Sequence, residues 1–296
     1  IEASIKNYKN FTQDNHKVHH AEDKVPSEAS VRDAIKIGKK TSMWMAIDSV
    51  KTGENDIIVS SGNTGALLVM SKLILKMMSG VDKPALAAIW PNHKDYSLVL
   101  DLGANVECTD QNLYEFSILG SELYKAIYNK NEVVTALLNI GSEEIKGHDF
   151  IKDAHTKLLE SKNLNFSYRG YIEGNEIKNG DVHVIVTDGF TGNVALKTAE
   201  GTANFITTEI KQSFSNSIFS KIGYLFSYSA FKQVKKKLDP REYNGAIFLG
   251  LNAPVIKSHG GADAYAFYNS MNLSYRILNA NLINKIKDNF INLDVK

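Results

Sequence analysis

A chain of 296 residues that is 43% apolar has the material for one large α/β domain and its core. Its 34 basic and 33 acidic residues leave a formal net charge of +1, so bulk charge gives no reason to expect a nucleic-acid partner. Cys108 is the only cysteine, which excludes an intramolecular disulfide, argues against a cysteine-based zinc site and fits a reducing cytoplasm; no run of about 18 apolar residues is present to span a membrane.

The first residues, Ile1-Glu2-Ala3-Ser4, read neither as a signal peptide nor as a natural start. A polar segment with His16, His19 and His20 follows and reads as surface rather than as a metal site. From there short apolar runs alternate with longer amphipathic ones. Helices are expected over 30–51, 64–79, 111–128, 149–161, 193–212 and 262–287. Strands are expected over 57–60, 85–90, 98–100, 133–139, 182–187 and 247–251. This alternation predicts a three-layer α/β fold, a mostly parallel sheet with helices on both faces, in a single domain over 1–296.

Three of the strands run into glycine loops: SSGNTGA at 60–66, DLGANVE at 101–107 and DGFTGNVALK at 188–197. Glycine lets a backbone turn sharply and approach a ligand closely, and a following helix offers unpaired N–H groups and a positive dipole end. Ligands of open parallel sheets bind beyond the carboxyl ends of strands. The three loops therefore predict one anion-holding cleft, to which the loop after strand 133–139 adds Lys146. The bland reading of Lys146 is a surface lysine beside Glu143 and Glu144.

Segment 211–241 breaks the alternation. It mixes Phe214, Phe219, Tyr224, Phe226 and Phe231 with Lys232, Lys235, Lys236 and Lys237, a basic amphipathic helical insertion suited to an anionic membrane surface or an acidic protein. Packing on the domain or on a second subunit is the equal alternative. The dinucleotide fingerprint and the Walker pattern are absent, and no His/Glu spacing resembles a zinc-protease helix. Ser258 and His259 are adjacent on an extended run and point to opposite faces, which rules against a nucleophile–base pair. Cys108 reads as a packing residue.

The runs SSGNTGALLVM, GVDKPALAAIWP, LVLDLGANVEC, ALLNIGSEEIKGHDF, VIVTDGFTGNVALKTAEG and LDPREYNGAIFLGLNAPVIKSHGGADA resemble successive motifs of the bacterial PlsX phosphate acyltransferases, in order and over most of the chain. The resemblance implies transfer of a fatty acyl group from acyl carrier protein to inorganic phosphate, giving acyl phosphate for phospholipid synthesis. It also implies a cytoplasmic homodimer peripherally associated with membrane, and a fold similar to phosphotransacetylases and to isocitrate and isopropylmalate dehydrogenases. No cofactor or metal is implied. Members of the family begin with a strand and a loop of the type AxDAMGGD bordering the site; that motif is not found here, so this strand is expected to be missing.

Phosphate is already a nucleophile at neutral pH, so the chemistry needs a dianion held beside a thioester carbonyl and a stabilised oxyanion. Ser61, Gly62, Asn63, Thr64 and Gly65 are expected to bind phosphate, with Asn105, Thr191 and Gly192 opposite. The resemblance implicates Lys146 and Asn193 in catalysis; His259 is a candidate to protonate the leaving thiolate. Phe226, Phe231, Lys232, Lys235, Lys236 and Lys237 are candidates to meet the carrier or membrane. Asp101 and Asp188 are expected to shape their loops. The alternatives are a phosphate acetyl- or butyryltransferase using a coenzyme A thioester, or a non-catalytic membrane-associated binding protein. A decarboxylating dehydrogenase is disfavoured because arginine is scarce: Arg32, Arg169, Arg241 and Arg276.

Overall fold

A computed structural model describes residues 5, 7, 8, 10 and 15–292. Nine helices and eight strands are used below, in chain order: α1 Val31–Ile37, α2 Ser42–Lys51, β1 Ile58–Ser60, α3 Thr64–Leu75, β2 Ala85–Pro91, β3 Tyr96–Leu100, α4 Asp110–Tyr128, β4 Val134–Asn139, α5 Asp149–Glu160, β5 Ser167–Glu173, β6 Val184–Val186, α6 Gly189–Ser215, α7 Ile218–Leu238, β7 Ala246–Leu249, β8 Val255–Lys257, α8 Ala264–Asn279 and α9 Leu282–Asn292. The strands form one sheet in the order β1-β8-β7-β2-β3-β6-β4-β5.

The predicted α/β architecture is present, with three differences. Strands β5 and β8 lie where none was expected. The helix expected over 30–51 is two helices, because Gly38 leaves α1 at φ 53° and Thr41 caps α2 by accepting the Trp44 N–H. The helix over 262–287 likewise divides at Ala280 and Asn281, where Asn281 takes φ 53°.

Four pairings among the described strands are parallel (β1–β8, β3–β6, β6–β4 and β4–β5), and three are antiparallel (β8–β7, β7–β2 and β2–β3). The antiparallel stretch reverses the sheet. Strands β1, β8 and β2 run one way; β7, β3, β6, β4 and β5 run the other.

One face buries its apolar side chains under α4, α5, α8 and α9, the other under α1, α2, α3 and the start of α6. Helix α4 lies so close to the sheet that a Cβ on Gly120 would stand 2.6 Å from Val184 and 2.9 Å from Leu100. Helices α6 and α7 form an antiparallel hairpin whose Phe214 meets Tyr224 and Phe231 at ring separations of 5.5 and 4.8 Å. No residue of α7 is buried. Among the described residues no helix is long and apolar enough to cross a membrane.

Candidate active site

The reversed sheet divides the predicted cleft. The Ser60–Ala66 loop leaves the carboxyl end of β1 beside the 258–263 loop that leaves β8. The Asp101, Asp188 and Lys146 loops leave the carboxyl ends of β3, β6 and β4, at the opposite end of the sheet. The sequence reading placed all of them in one cleft by assuming strands of one direction. Within the chain they make two groups.

The first group is built on a helix start. Asn63 caps α3 by accepting the Ala66 N–H at 2.9 Å, and its Nδ2 donates to the carbonyls of Ser27 and Ala29. Its side chain is thus committed to structure. The first-turn amides of Thr64 and Gly65 have no preceding carbonyl to bind. Ser258 N–H donates to Ser60 O at 2.9 Å, which binds the two loops together.

His259 Nδ1 accepts the Gly261 N–H at 3.1 Å, and its own N–H donates to Asn244 Oδ1 at 2.9 Å. That ring nitrogen shapes the turn, and Nε2 is left free. Lys257, unremarked in the sequence, pairs in register with Ser60 and shares the α3 face with Val255. It is half-buried, its Nζ donates to the Ser258 carbonyl, and it has no carboxylate partner among the described residues; burial holds its ammonium below the usual lysine range. An unpaired lysine two residues before His259 was the signal that could have found it.

The second group is built around Asp101. Its Oδ1 accepts the N–H groups of Leu86, Gly103 and Ala104, and its Oδ2 those of Asn105 and Asn105 Nδ2. Burial pushes the carboxyl upward while these donors pull it back. Asn105 Nδ2 also donates to the Pro84 carbonyl, so its amide group, like that of Asn63, is structural. Asp188 caps α6 through the Thr191 N–H at 2.9 Å. Both aspartates shape loops, as expected.

Gly189 and Gly192 seat α6 on this loop. A Cβ on Gly189 would lie 2.4 Å from Asn105 O, and one on Gly192 only 1.9 Å from Asp101 O. These glycines bring backbone against backbone rather than against a ligand. Thr191 and Asn193 remain exposed, and Asn193 lies over Gly103, whose Cβ would approach it to 3.5 Å.

Lys146 reaches the same end on a loop tied down by Asn139, whose Nδ2 donates to Gly141 O at 3.2 Å and Lys146 O at 3.1 Å. The side chains of Lys146 and Asn193 are exposed and form no hydrogen bond or ion pair among the described residues. Cys108 is half-buried nearby; burial first, then the Asp101 charge, push its thiol up to about 11, which removes it as a ready nucleophile.

Phe226 and Lys232, Lys235, Lys236 and Lys237 lie exposed on α7, well apart in sequence from both groups, whereas Phe231 turns inward against Phe214 and Tyr224.

Solved structures of the same fold include the EutD phosphotransacetylase from Staphylococcus aureus (TM-score 0.55, 15% identity, 83% of this chain and 74% of that one). A phosphotransacetylase from Streptococcus pyogenes aligns with TM-score 0.55 and 18% identity over 87% of this chain and 71% of that one. At these identities the likeness concerns the fold. Among curated relatives, the phosphate acyltransferase of Pelagibacter ubique is 55% identical over 286 residues, 96% of this chain and 86% of the relative. That of Paramagnetospirillum magneticum is 45% identical over 273 residues, 92% of this chain and 78% of the relative. Residues 1–285 match the family model described as Fatty acid synthesis protein. On these matches the chain belongs to the PlsX phosphate acyltransferase family.

Proposed function

We propose that this chain transfers a long-chain fatty acyl group from acyl carrier protein to inorganic phosphate. A phosphate oxygen attacks the thioester carbonyl carbon, a tetrahedral oxyanion forms, the C–S bond breaks, and the carrier leaves as a thiolate that takes up a proton. The product is acyl phosphate. Phosphate is held by the backbone of Ser61, Gly62, Asn63, Thr64 and Gly65, where α3 begins. Lys146 and Asn193 stabilise the oxyanion, with Asn105, Thr191 and Gly192 lining their end. His259 Nε2 donates toward phosphate or the leaving sulfur.

The observation that carries this reading is the pair Lys146 and Asn193. One is a cationic and the other a neutral donor; Lys146 stands on a loop tied down by Asn139 and Asn193 in the opening turns of α6, and neither has a hydrogen-bond or ion-pair partner among the described residues. Preorganised donors of this kind are what a developing oxyanion requires. The exposed basic and aromatic face of α7 fits an acidic carrier or an anionic membrane surface, as expected of a cytoplasmic, peripherally bound homodimer.

The test is to incubate the protein with long-chain acyl carrier protein and phosphate and to measure acyl phosphate, in parallel with a coenzyme A thioester of the same chain. Phosphate-dependent product from the carrier is the expected result. Turnover of the coenzyme A thioester alone would move the assignment to the phosphotransacetylase type.

A further inference from the structure

We propose that Lys257 is a phosphate-binding residue: its ammonium, beside the start of α3, supplies the positive charge that holds the phosphate dianion against the amides of Ser61–Gly65. The inference rests on the functional reading above, which assigns phosphate to that loop without a side chain to neutralise it.

Strand register places the side chain. Lys257 ends β8 and pairs with Ser60, which ends β1. The two stand side by side, at about 4.8 Å between strands, where the glycine loop departs. Both lie on the α3 face, because alternate residues share a face, and Ile58 and Val255, two positions earlier, belong to the same buried cluster as Ala66, Leu67 and Met70 of α3. Ser60 Oγ accepts the Gly62 N–H at 3.2 Å, and Ser60 O accepts the Ser258 N–H at 2.9 Å. The loop is thus bonded to the residue beside the lysine, and that residue to the one after it. Lys257 Nζ donates to the Ser258 carbonyl, which holds the ammonium toward the carboxyl end of the strand rather than back over the sheet.

Charge balance carries the rest. An ammonium has three donors and no acceptor, so one carbonyl leaves two donors free and the charge unmatched. On the other flank its register partner is Ala246, which has no group to offer. The SSGNTGA loop contains no acidic residue, and the 258–263 loop contains only Asp263. That carboxylate caps α8 through the Ala266 N–H at 2.9 Å and accepts from Arg241 Nη1 at 2.8 Å. Burial already disfavours the Lys257 ammonium, and the positive end of the α3 dipole adds a second field of the same sign. A bound dianion offsets both through charge-assisted bonds, the strong kind.

Two substitutions test this. Lys257→Met keeps the apolar stem and removes the charge, whereas Lys257→Arg keeps the charge. Binding of inorganic phosphate is measured by titration calorimetry, and turnover with long-chain acyl carrier protein and phosphate by steady-state kinetics. Lys257→Met is expected to bind phosphate about 10- to 100-fold more weakly, the scale of a hydrogen bond to a charged group, and to raise KM for phosphate alike while KM for the acyl carrier holds. Lys257→Arg should recover most of that loss. If Lys257→Met fails to fold, acetylation of the wild-type lysines, read by peptide mass spectrometry, decides. Phosphate should then protect Lys257 while Lys235, Lys236 and Lys237 stay reactive; an unprotected Lys257 overturns the assignment. Unaltered phosphate affinity in Lys257→Met overturns it too, as does an equal rise in both KM values, which marks a structural role. Each of these leaves the phosphate placement standing. Wild-type protein that binds no phosphate at millimolar concentration overturns the placement itself, and the role of Lys257 with it.

Discussion

Lys146 and Asn193 stand exposed because Asn139 holds the loop of the one and α6 presents the other. Gly147 sits at φ 90°, and a Cβ there would fall 2.1 Å from Asn139 Oδ1, so the Lys146 loop closes over Asn139 only with glycine at that position. Lys146→Ala should leave this framework intact and lower acyl phosphate formation by roughly 10²–10³, the scale of losing one charge-stabilising donor. Near-normal turnover by a folded variant would remove Lys146 from the mechanism. Cys108 offers a second check on the same end. With its thiol pushed up to about 11, it is thiolate at pH 8 about 100-fold less than an ordinary cysteine. Alkylation by iodoacetamide in the native protein should therefore be slow at pH 8 and climb as pH rises toward 11. Fast alkylation at pH 8 would contradict the buried, Asp101-facing setting. At this scale the sequence showed which residues gather at loops but not what their side chains do. Asn63, Asn105 and Gly192 looked like ligand contacts, yet capping and hydrogen bonding absorb the two side-chain amides and backbone packing absorbs the glycine. Those roles depend on Ser27, Pro84 and Asp101, residues made neighbours only by the fold.

The α6–α7 hairpin is the element whose chemistry is most exposed. Its inner seam is the aromatic contact of Phe214 with Tyr224 and Phe231, while Phe219 and Phe226 stand 87% and 84% exposed. Lys235, Lys236 and Lys237 occupy the last turn of α7, where cations suit the helix dipole. Changing these three lysines to Glu should weaken binding to acyl carrier protein or to anionic vesicles, and co-sedimentation at low and high salt measures it. Binding unaltered at low salt would leave them as a solvated face. The hairpin was legible in the sequence because aromatic and basic residues recur there at helical spacing. Strand β5 was not, because Arg169 and Gly170 interrupt its apolar alternation. The antiparallel stretch left a readable trace: the link from β2 to β3 holds only Asn92–Asp95, too short for the crossover a parallel pair needs.

At the scale of the whole molecule, sheet direction decides how the parts can cooperate. A uniformly parallel sheet would bring every glycine loop to one rim. The reversal through β7 and β2 instead sends the Ser60–Ala66 loop and the Lys146 and Asp188 loops off strands of opposite direction. The homodimer of the proposed function links folding to association, so thermal stability should depend on protein concentration. The melting temperature is expected to rise as the protein is concentrated, and to rise further with inorganic phosphate. At 100 times its dissociation constant, phosphate would add about 2.7 kcal/mol through binding the folded state. Thr64→Glu should lose the phosphate increment, because its charge opposes the ligand. Calorimetric scans over a range of protein concentrations, with and without phosphate, separate these contributions. A melting temperature independent of concentration would remove the homodimer from the proposed function, whereas a phosphate increment would still stand for the anion site at the start of α3.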